Sequence, residues 1–126
     1  ILYKMDNRYS KRREDKFKLL RNSDMFYCYV AQDEEGIKGF IIMENLGEGV
    51  SHYMVQINVA EKRRGIGRKL VERVFEKIGL GGHISLCVNM DNKDAIEFYK
   101  ALGFRISGFT RNYRRGQDKW WYEIDL

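Results

Sequence analysis

The spacing of the apolar residues changes at Ile66, and this change constrains the fold more than any other feature of the sequence. Before it, three runs rich in aromatic and branched residues, at residues 25–31, 37–43 and 51–57, have the composition of β-strands. From Ile66 to Ile78 the apolar residues recur every three or four positions with charged residues between them, which is typical of an amphipathic helix. The sequence therefore predicts three strands, a short connection and then a helix.

The rest of the chain adds further strands and helices. We predict helices at residues 10–20 and 93–102, strands at residues 83–88, 104–109 and 119–126, and a polar loop at residues 110–118. The strand at residues 83–88 is largely apolar, which places it in the centre of a sheet. A chain of 126 residues is long enough for one core and too short for two. We therefore expect a single domain over residues 1–126, with an α+β (mixed α/β) fold in which helices pack on a mixed sheet.

The formal net charge of +5 comes entirely from residues 1–22, which hold eight basic and three acidic side chains. Such a segment can attract nucleic acid or an acidic partner. A short basic helix is more often a solvated surface, so we expect no nucleic-acid partner. The longest uninterrupted apolar run, residues 25–31, is far too short to span a membrane, and we expect no membrane association.

The two cysteines, Cys28 and Cys87, match no zinc or redox spacing. We interpret both as reduced thiols of a cytoplasmic protein, and we expect no metal. The chain starts at Ile1 with nothing like a signal peptide near it, so we expect that the native protein begins before this residue.

The segment KRRGIG at residues 62–67 leads into the helix. Backbone N–H groups at a helix N-terminus favour an anion, and Gly65 and Gly67 lack the Cβ atoms that would keep phosphate oxygens away from the backbone. Because the segment and the following Arg68 and Lys69 are basic, a pyrophosphate fits better than a carboxylate. Alternatively, the glycines only allow a tight turn and the basic residues are solvated. A P-loop pattern is absent, and a Rossmann fingerprint would need a third glycine where Leu70 stands.

Two motifs give the chain a resemblance to a known family. Residues 62–67 are similar to the Q/R-x-x-G-x-G/A acyl-carrier loop of the GNAT superfamily of N-acetyltransferases, with Lys62 in place of the usual Gln or Arg. Residues 92–104, NKDAIEFYKALGF, match the family's second signature, N-x-x-A-x-x-[FL]-Y-x-x-x-G-F, at every defined position. The resemblance is close over residues 51–109. It implies a GNAT-like fold, with a central, mostly antiparallel mixed sheet of six to seven strands and helices on both faces, whose first strand or helix lies partly before Ile1.

The resemblance also implies a reaction and a set of residues. GNAT enzymes transfer acetyl from acetyl-CoA directly to an amine, and N–H groups of a bulged strand before the loop stabilise the thioester carbonyl. Tyr99 occupies the family's general-acid position, from which it protonates the departing thiolate; otherwise it is a packing residue. Asn92 matches a carrier-contacting asparagine, a role compatible with capping the second helix. The residues expected to contact acetyl-CoA are Val55, Gln56, Ile57, Val59, Lys62, Arg63, Arg64, Gly65, Ile66, Gly67, Arg68, Asn92 and Tyr99.

The general base is harder to assign. A lysine-like amine with a pKa of about 10.4 costs roughly 4 to 5 kcal/mol to deprotonate near neutral pH, whereas an α-amino group with a pKa of about 8 costs roughly 1 kcal/mol. Some GNAT members, notably the ribosomal-protein alanine acetyltransferases, carry a glutamate on the strand before the second signature, and the residue aligned with it here is Cys87. Glu48 and His52, near the substrate end of the third strand, are the candidates for the base, although a single His on a strand is more often structural.

These observations favour an N-acetyltransferase that acts on a primary amine. The alternatives are a non-catalytic acyl-CoA-binding or regulatory domain, and an acetyltransferase for small amines such as polyamines or antibiotics. Residues 110–118 and 45–50 are expected to border the acceptor site, and the similarity of residues 111–113, RNY, to protein N-terminal acetyltransferases favours a peptide or protein amine. We expect a monomer or a homodimer.

Overall fold

The structure is a computed structural model that describes residues 25–47, 49–61, 65–114 and 116–126. Its strands are β1 (Phe26–Asp33), β2 (Gly36–Gly47), β3 (Ser51–Val59), β4 (His83–Asn89), β5 (Arg105–Arg114) and β6 (Gln117–Asp125), and its helices are α1 (Ile66–Ile78) and α2 (Lys93–Ala101). The strands and helices predicted within these residues are therefore present. Neither of the two described helices is long and apolar enough to cross a membrane. The helix predicted at residues 10–20 lies outside the described residues.

Within the described residues, the six strands form one sheet in the order β1-β2-β3-β4-β6-β5. β3 and β4 pair in parallel, and every other neighbouring pair is antiparallel. A parallel pair needs a crossover connection, and α1 provides it. The mostly antiparallel mixed sheet is thus confirmed. The central position predicted for residues 83–88 is also confirmed, since β4 lies between β3 and β6.

The main core lies on one side of the sheet, which we name the helix face. Buried apolar residues from β1 to β4, from β6 and from both described helices form a single cluster there. Fully buried members include Ile41 and Met43 of β2, Val71 and Val74 of α1 and Ile84 of β4. Burying each of these side chains contributes about 1.5–3 kcal/mol, so this cluster fixes both helices against the same face.

The other side, which we name the opposite face, is lined by the residues that alternate with those of the helix face. On β2 these are Phe40, Ile42 and Glu44, since successive strand side chains point to opposite sides. Phe40 and Ile42 are buried in a second cluster with Cys28 of β1. Tyr53 of β3 is paired with Glu44 and lies on the same face. The opposite face therefore changes from apolar at Phe40 to polar at Glu44.

The prediction of a loop at residues 110–118 is wrong. β5 continues to Arg114 and β6 begins at Gln117, so the two strands form one long hairpin. The polar composition suggested a loop, but strand preference depends on cross-strand pairing more than on the residue types themselves. Asn112 adopts a left-handed φ of 49°, and its N–H donates to Oδ1 of Asp118 at 3.0 Å. The segment expected to border the acceptor site is thus a hydrogen-bonded ribbon.

The start of α1 lies close to β2 because Gly39 has no side chain. A Cβ at Gly39 would lie 2.9 Å from the backbone oxygen of Asn58 and 3.2 Å from Cγ2 of Ile66. The first distance is shorter than real Cβ atoms show against a backbone oxygen. Gly39 therefore determines how closely the end of β3 and the first turn of α1 approach the sheet.

Candidate active site

β3 and β4 separate after a short stretch of pairing. Their parallel ladder ends at the pair Tyr53–Ser85, although β3 continues to Val59 and β4 to Asn89. Beyond that pair, the facing strand edges have no ladder with each other, and their backbone N–H and C=O groups can bind a ligand with hydrogen-bonding groups of its own. We name this opening the fork.

β3 contains a bulge where the fork begins. The pairing of β3 with β2 shifts register between Ile42 and Met43, and Val55 is the extra residue of β3. The bulged strand that the resemblance implies is therefore present at the expected position. The predicted carrier-contacting residues of this strand, which lie along the β3 side of the fork, are Val55, Gln56, Ile57 and Val59.

The first turn of α1 follows the fork and leaves backbone accessible at Gly65. This residue is the N-cap, with a left-handed φ of 74°, and a Cβ there would meet no atom within 4 Å. Its carbonyl accepts the N–H of Lys69 at 3.1 Å, and the first turn has no acidic side chain. A helix N-terminus with this composition favours an anion. The predicted contacts Lys62, Arg63 and Arg64 lie outside the described residues.

The structure brings the two sequence motifs together. A Cβ at Gly67 of α1 would lie 3.1 Å from Cζ of Phe98 of α2, so the absence of a side chain lets the two helices approach. The exposed Arg68 donates from Nη2 to the carbonyl of Ala101 at 3.5 Å, and its Nη1 lies 3.9 Å from Oε2 of Glu72. Ile66 packs against the main core. At Ile66, the backbone rather than the side chain is therefore available to a carrier.

Tyr99 of α2 is buried in the main core, with 7% of its surface exposed. Its ring lies 5.4 Å from that of Phe98 and 5.7 Å from that of Phe104, measured between centroids. Burial, and to a smaller extent the nearby Cys87, raise the pKa of Tyr99 to about 12. The hydroxyl therefore keeps its proton at physiological pH, as a general acid must, and the influence of Cys87 places it near β4.

Asn92 caps α2, as its position in the sequence indicates. Its Oδ1 accepts the backbone N–H of Ala95 at 3.2 Å, and Asp94 lies in the favourable first turn. Asn92 is exposed, so the cap does not prevent a further contact with a ligand.

His52 is buried on the helix face, and both of its ring nitrogens have partners. Nε2 lies 3.0 Å from the carbonyl oxygen of Gly49, and Nδ1 lies 2.8 Å from the hydroxyl of Tyr27. A carbonyl only accepts, so Nε2 carries the proton and Nδ1 accepts from Tyr27. The arrangement favours the structural interpretation of His52, which lies on the other side of the sheet from the Cys87 thiol. Glu48, the other candidate base, lies outside the described residues.

Sequence reasoning missed a group of side chains on the opposite face beside the fork. The hydroxyl of Tyr53 lies 3.3 Å from Sγ of Cys87, and its ring centroid lies 6.1 Å from that of Trp121 at an angle of 46°. Trp121 pairs with Cys87 across β4 and β6, and its Nε1–H donates to Oγ1 of Thr110 at 2.9 Å. Burial and then the contact with Cys87 raise the pKa of Tyr53, so its hydroxyl keeps its proton, and either the hydroxyl or the thiol can be the donor in this hydrogen bond. Residue alternation could have placed Tyr53 and Trp121 on a sheet face, but only the strand order brings them together.

The described residues suit an organic ligand with an anionic group. Across residues 25–47, 49–61, 65–114 and 116–126, no group of three or more His, Cys, Asp or Glu side chains is arranged to hold a metal ion. The fork offers unpaired backbone to a linear amide-containing arm, and the turn at Gly65 offers N–H groups to a diphosphate. Both parts of acetyl-CoA therefore have a matching feature.

The sequence matches the acetyltransferase (GNAT) domain family over residues 24–106. The matched range is well over half of the chain and contains both motifs and the fork. The chain belongs to the GNAT family. The family assignment suggested by the two motifs is confirmed.

Curated relatives of this GNAT chain include two N-acetyltransferases. It is 30% identical over 84 residues to the 5-NmdU N-acetyltransferase of Pseudomonas phage PaMx11, and the aligned region covers 65% of this chain and 59% of the relative. It is 33% identical over 63 residues to the N-alpha-acetyltransferase RimI of Mycobacterium tuberculosis, and the aligned region covers 50% of this chain and 39% of the relative. The chain thus spans less than two thirds of the length of either relative.

The GNAT fold is confirmed by comparison with solved structures. The ribosomal-protein-S18-alanine N-acetyltransferase of Escherichia coli has a TM-score of 0.75 and 20% sequence identity, covering 94% of this chain and 79% of that protein. At this identity the likeness establishes the α+β GNAT fold, and the acceptor has to be argued from the site itself.

Proposed function

We propose that this GNAT chain transfers the acetyl group of acetyl-CoA to a primary amine. The fork supports the proposal most strongly, because bulged β3 has backbone groups there that lie outside the β3–β4 ladder, immediately before the first family motif. Gly65 at the start of α1 lies at one end of this arrangement, and the protonated hydroxyl of Tyr99 lies near β4.

Acetyl-CoA would supply an acetyl group activated as a thioester. The N–H groups around Val55 hold the thioester carbonyl and oppose the negative charge that develops on its oxygen, while the first turn of α1 holds the diphosphate. The amine attacks the carbonyl carbon and the C–S bond breaks. The hydroxyl of Tyr99 gives its proton to the departing sulfur, and the proton that the amine loses restores the hydroxyl through solvent. Asn92 contacts the carrier from the start of α2.

We propose a peptide or protein α-amine in the cytoplasm as the acceptor. Cys87 stands where the ribosomal-protein alanine acetyltransferases carry a glutamate, so no strong base is assigned in this chain, and an acceptor that loses its proton readily fits such a site best. An α-amino group costs roughly 1 kcal/mol to deprotonate near neutral pH, against roughly 4 to 5 kcal/mol for a lysine side chain. The similarity to an N-alpha-acetyltransferase supports the same acceptor class, and the reduced state of Cys28 and Cys87 supports the location.

A thiol-release assay tests the proposal. Acetyl-CoA is supplied with peptides bearing a free α-amine, with their N-terminally blocked forms, with lysine amides and with small polyamines, and mass spectrometry locates the added acetyl group. We expect acetylation of free α-amines and none of the blocked peptides. If the chain binds acetyl-CoA but releases no thiol with any amine, it is a non-catalytic acyl-CoA-binding domain. If only polyamines react, the acceptor class is wrong.

A further inference from the structure

Glu44 places a carboxylate on the opposite face beside the fork. It pairs with Tyr53 across β2 and β3, so the two side chains are direct neighbours on that face. Burial and the contact with Cys87 are the largest causes of the raised pKa of Tyr53, and the negative charge of Glu44 adds a smaller effect. Glu44 is half-buried, and among the described residues it has no hydrogen-bond or ion-pair partner.

Two aromatic rings beside Glu44 are held in fixed orientations. The phenol of Tyr53 is anchored by its hydrogen bond to Cys87, and the indole of Trp121 by its hydrogen bond to Thr110. The rings stand 6.1 Å apart at 46°, so they form an open angle rather than a stack. Such rings attract cations through their electron-rich faces, and Trp and Tyr are among the strongest residues in this respect. We name Tyr53, Trp121 and Glu44 together the aromatic corner.

Two basic side chains of the β5–β6 hairpin, Arg105 and Lys119, already have partners. Arg105 donates to Asp125 at 2.7 Å and to Glu123 at 3.2 Å. Lys119 lies over the ring of Tyr113, with Nζ 5.6 Å from its centroid. An aromatic ring of this hairpin, that of Tyr113, therefore already attracts a cation of the chain itself. The carboxylate of Glu44 is left for a cation from outside the described residues.

We propose that the aromatic corner binds a fixed positive charge of the acceptor, so that the substrate is an amine-bearing molecule with a second cationic group. Carboxylate and aromatic faces stabilise the charged form of an ammonium, which opposes its deprotonation. The group held here is therefore the cation that does not react, while the neutral amine enters the fork beyond Tyr53. For a peptide acceptor, this means a basic side chain close to the N-terminal residue. The inference rests on the proposed function and names its substrate class.

The test compares two peptides that differ only in charge. Both have a free N-terminal alanine; the second or third residue is trimethyllysine in one and its uncharged tert-butyl isostere in the other. Neither side chain can be acetylated, so both peptides report on the α-amine alone. We expect kcat/KM at least about tenfold higher for the charged peptide, expressed mainly in KM. With the Glu44→Gln variant, kcat/KM for the two peptides should differ by less than about twofold. The control is Glu34→Gln, which changes an exposed acidic residue in the β1–β2 turn and should keep the preference for the charged peptide.

A binding measurement separates this proposal from the proposed function. N-terminally blocked versions of the two peptides are titrated calorimetrically into the chain saturated with CoA. Stronger binding of the charged peptide that disappears in Glu44→Gln supports the aromatic corner even if no acceptor turns over. Equal turnover of both peptides by the wild-type chain overturns it while leaving the acetyltransferase function intact. If Glu44→Gln does not fold, Glu44→Asp and the Trp121→Leu variant replace it, and an undiminished preference in both overturns the proposal.

Discussion

The hydroxyl of Tyr53, which belongs to the last residue pair of the parallel ladder between β3 and β4, lies 3.3 Å from Sγ of Cys87. A side-chain hydrogen bond thus joins the two strands at the point where their backbones stop pairing. It fixes the Tyr53 ring beside the start of the fork.

The Tyr53–Cys87 bond should be visible as coupling between two substitutions. Cys87→Ala removes the thiol and Tyr53→Phe removes the hydroxyl of this hydrogen bond, so each should lower the free energy of unfolding by about 1 kcal/mol. The double variant should lose less than the sum of the two, since the second change removes a bond already broken. Urea unfolding of the four proteins measures this. Additive losses would show that the contact does not stabilise the fork.

Tyr99→Phe should lower kcat by about a hundredfold or more, because the departing thiolate then leaves without a proton donor. The dissociation constant of acetyl-CoA should change little, since the ring remains in the core. Because the pKa of Tyr99 is raised to about 12, its hydroxyl stays protonated up to about pH 11. Deprotonation of Tyr99 should therefore cause no fall in the wild-type rate below that pH. Steady-state kinetics and calorimetry check both points. Tyr29→Phe, which removes another buried hydroxyl of the same core, is the control.

His52→Ala should affect stability rather than chemistry. It removes both hydrogen bonds of a buried ring and leaves the Tyr27 hydroxyl without its acceptor, which should lower the free energy of unfolding by about 2 kcal/mol or more. Tyr27→Phe, which breaks only one of the two bonds, should cost about 1 kcal/mol. Rates are measured well below the melting temperature of each variant. A hundredfold fall in kcat with a small change in stability would instead make His52 the base.

Gly39→Ala should destabilise the chain and weaken CoA binding together. The new methyl group would meet the backbone oxygen of Asn58 at 2.9 Å, and relieving that contact moves the end of β3 away from β2 at a cost of about 1–3 kcal/mol. Gly108→Ala on β5 is the matched control, since a Cβ there would meet no atom within 4 Å. Thermal melting and CoA titration of both variants are the measurements. Equal behaviour of the two would show that Gly39 does not hold the turn in place.

Acid stability should depend on Asp125. Hydrogen bonds from Arg105 and then from His83 hold the pKa of this carboxyl below its ordinary value of about 3.9. The folded chain therefore binds fewer protons than the unfolded chain near that pH, so the contribution is present above the unfolded pKa of about 3.9 and is lost as the pH falls below it through the lower folded pKa. Melting temperatures between pH 3 and 6 should fall less steeply for Asp125→Asn than for the wild type. Glu34→Gln should follow the wild-type curve.

The elements and the two motifs could be predicted from sequence because their signals are local. The spacing of apolar residues from Ile66 onward and the cap at Asn92 each depend on neighbours within a few positions. The loop prediction at residues 110–118 was wrong although the pairing there is also local, since Thr110 pairs with Lys119 and Arg114 with Gln117. The polar residues of this segment are typical of a loop, but main-chain pairing between adjacent strands does not require apolar side chains.

The fork and the aromatic corner required the sheet itself. Tyr53 and Cys87 are separated by 34 positions, and Tyr53 and Trp121 by still more, so only the strand order β2-β3-β4-β6 makes them neighbours. The bulge at Val55 was anticipated through the family resemblance, because a register shift between two strands leaves no mark in either strand alone. The role proposed for Glu44 could not be predicted from sequence for the same reason, since it follows from the pairing of Glu44 with Tyr53.

The continuous hairpin of β5 and β6 has a consequence for how the selectivity of such a chain can diverge. Thr110 pairs with Lys119 and Arg114 pairs with Gln117, so main-chain bonds hold the ribbon on both sides of the irregular stretch that contains the exposed Arg111 and Tyr113. In the proposed enzyme, single replacements at these two positions can change the surface near an acceptor while the paired residues on either side stay in place.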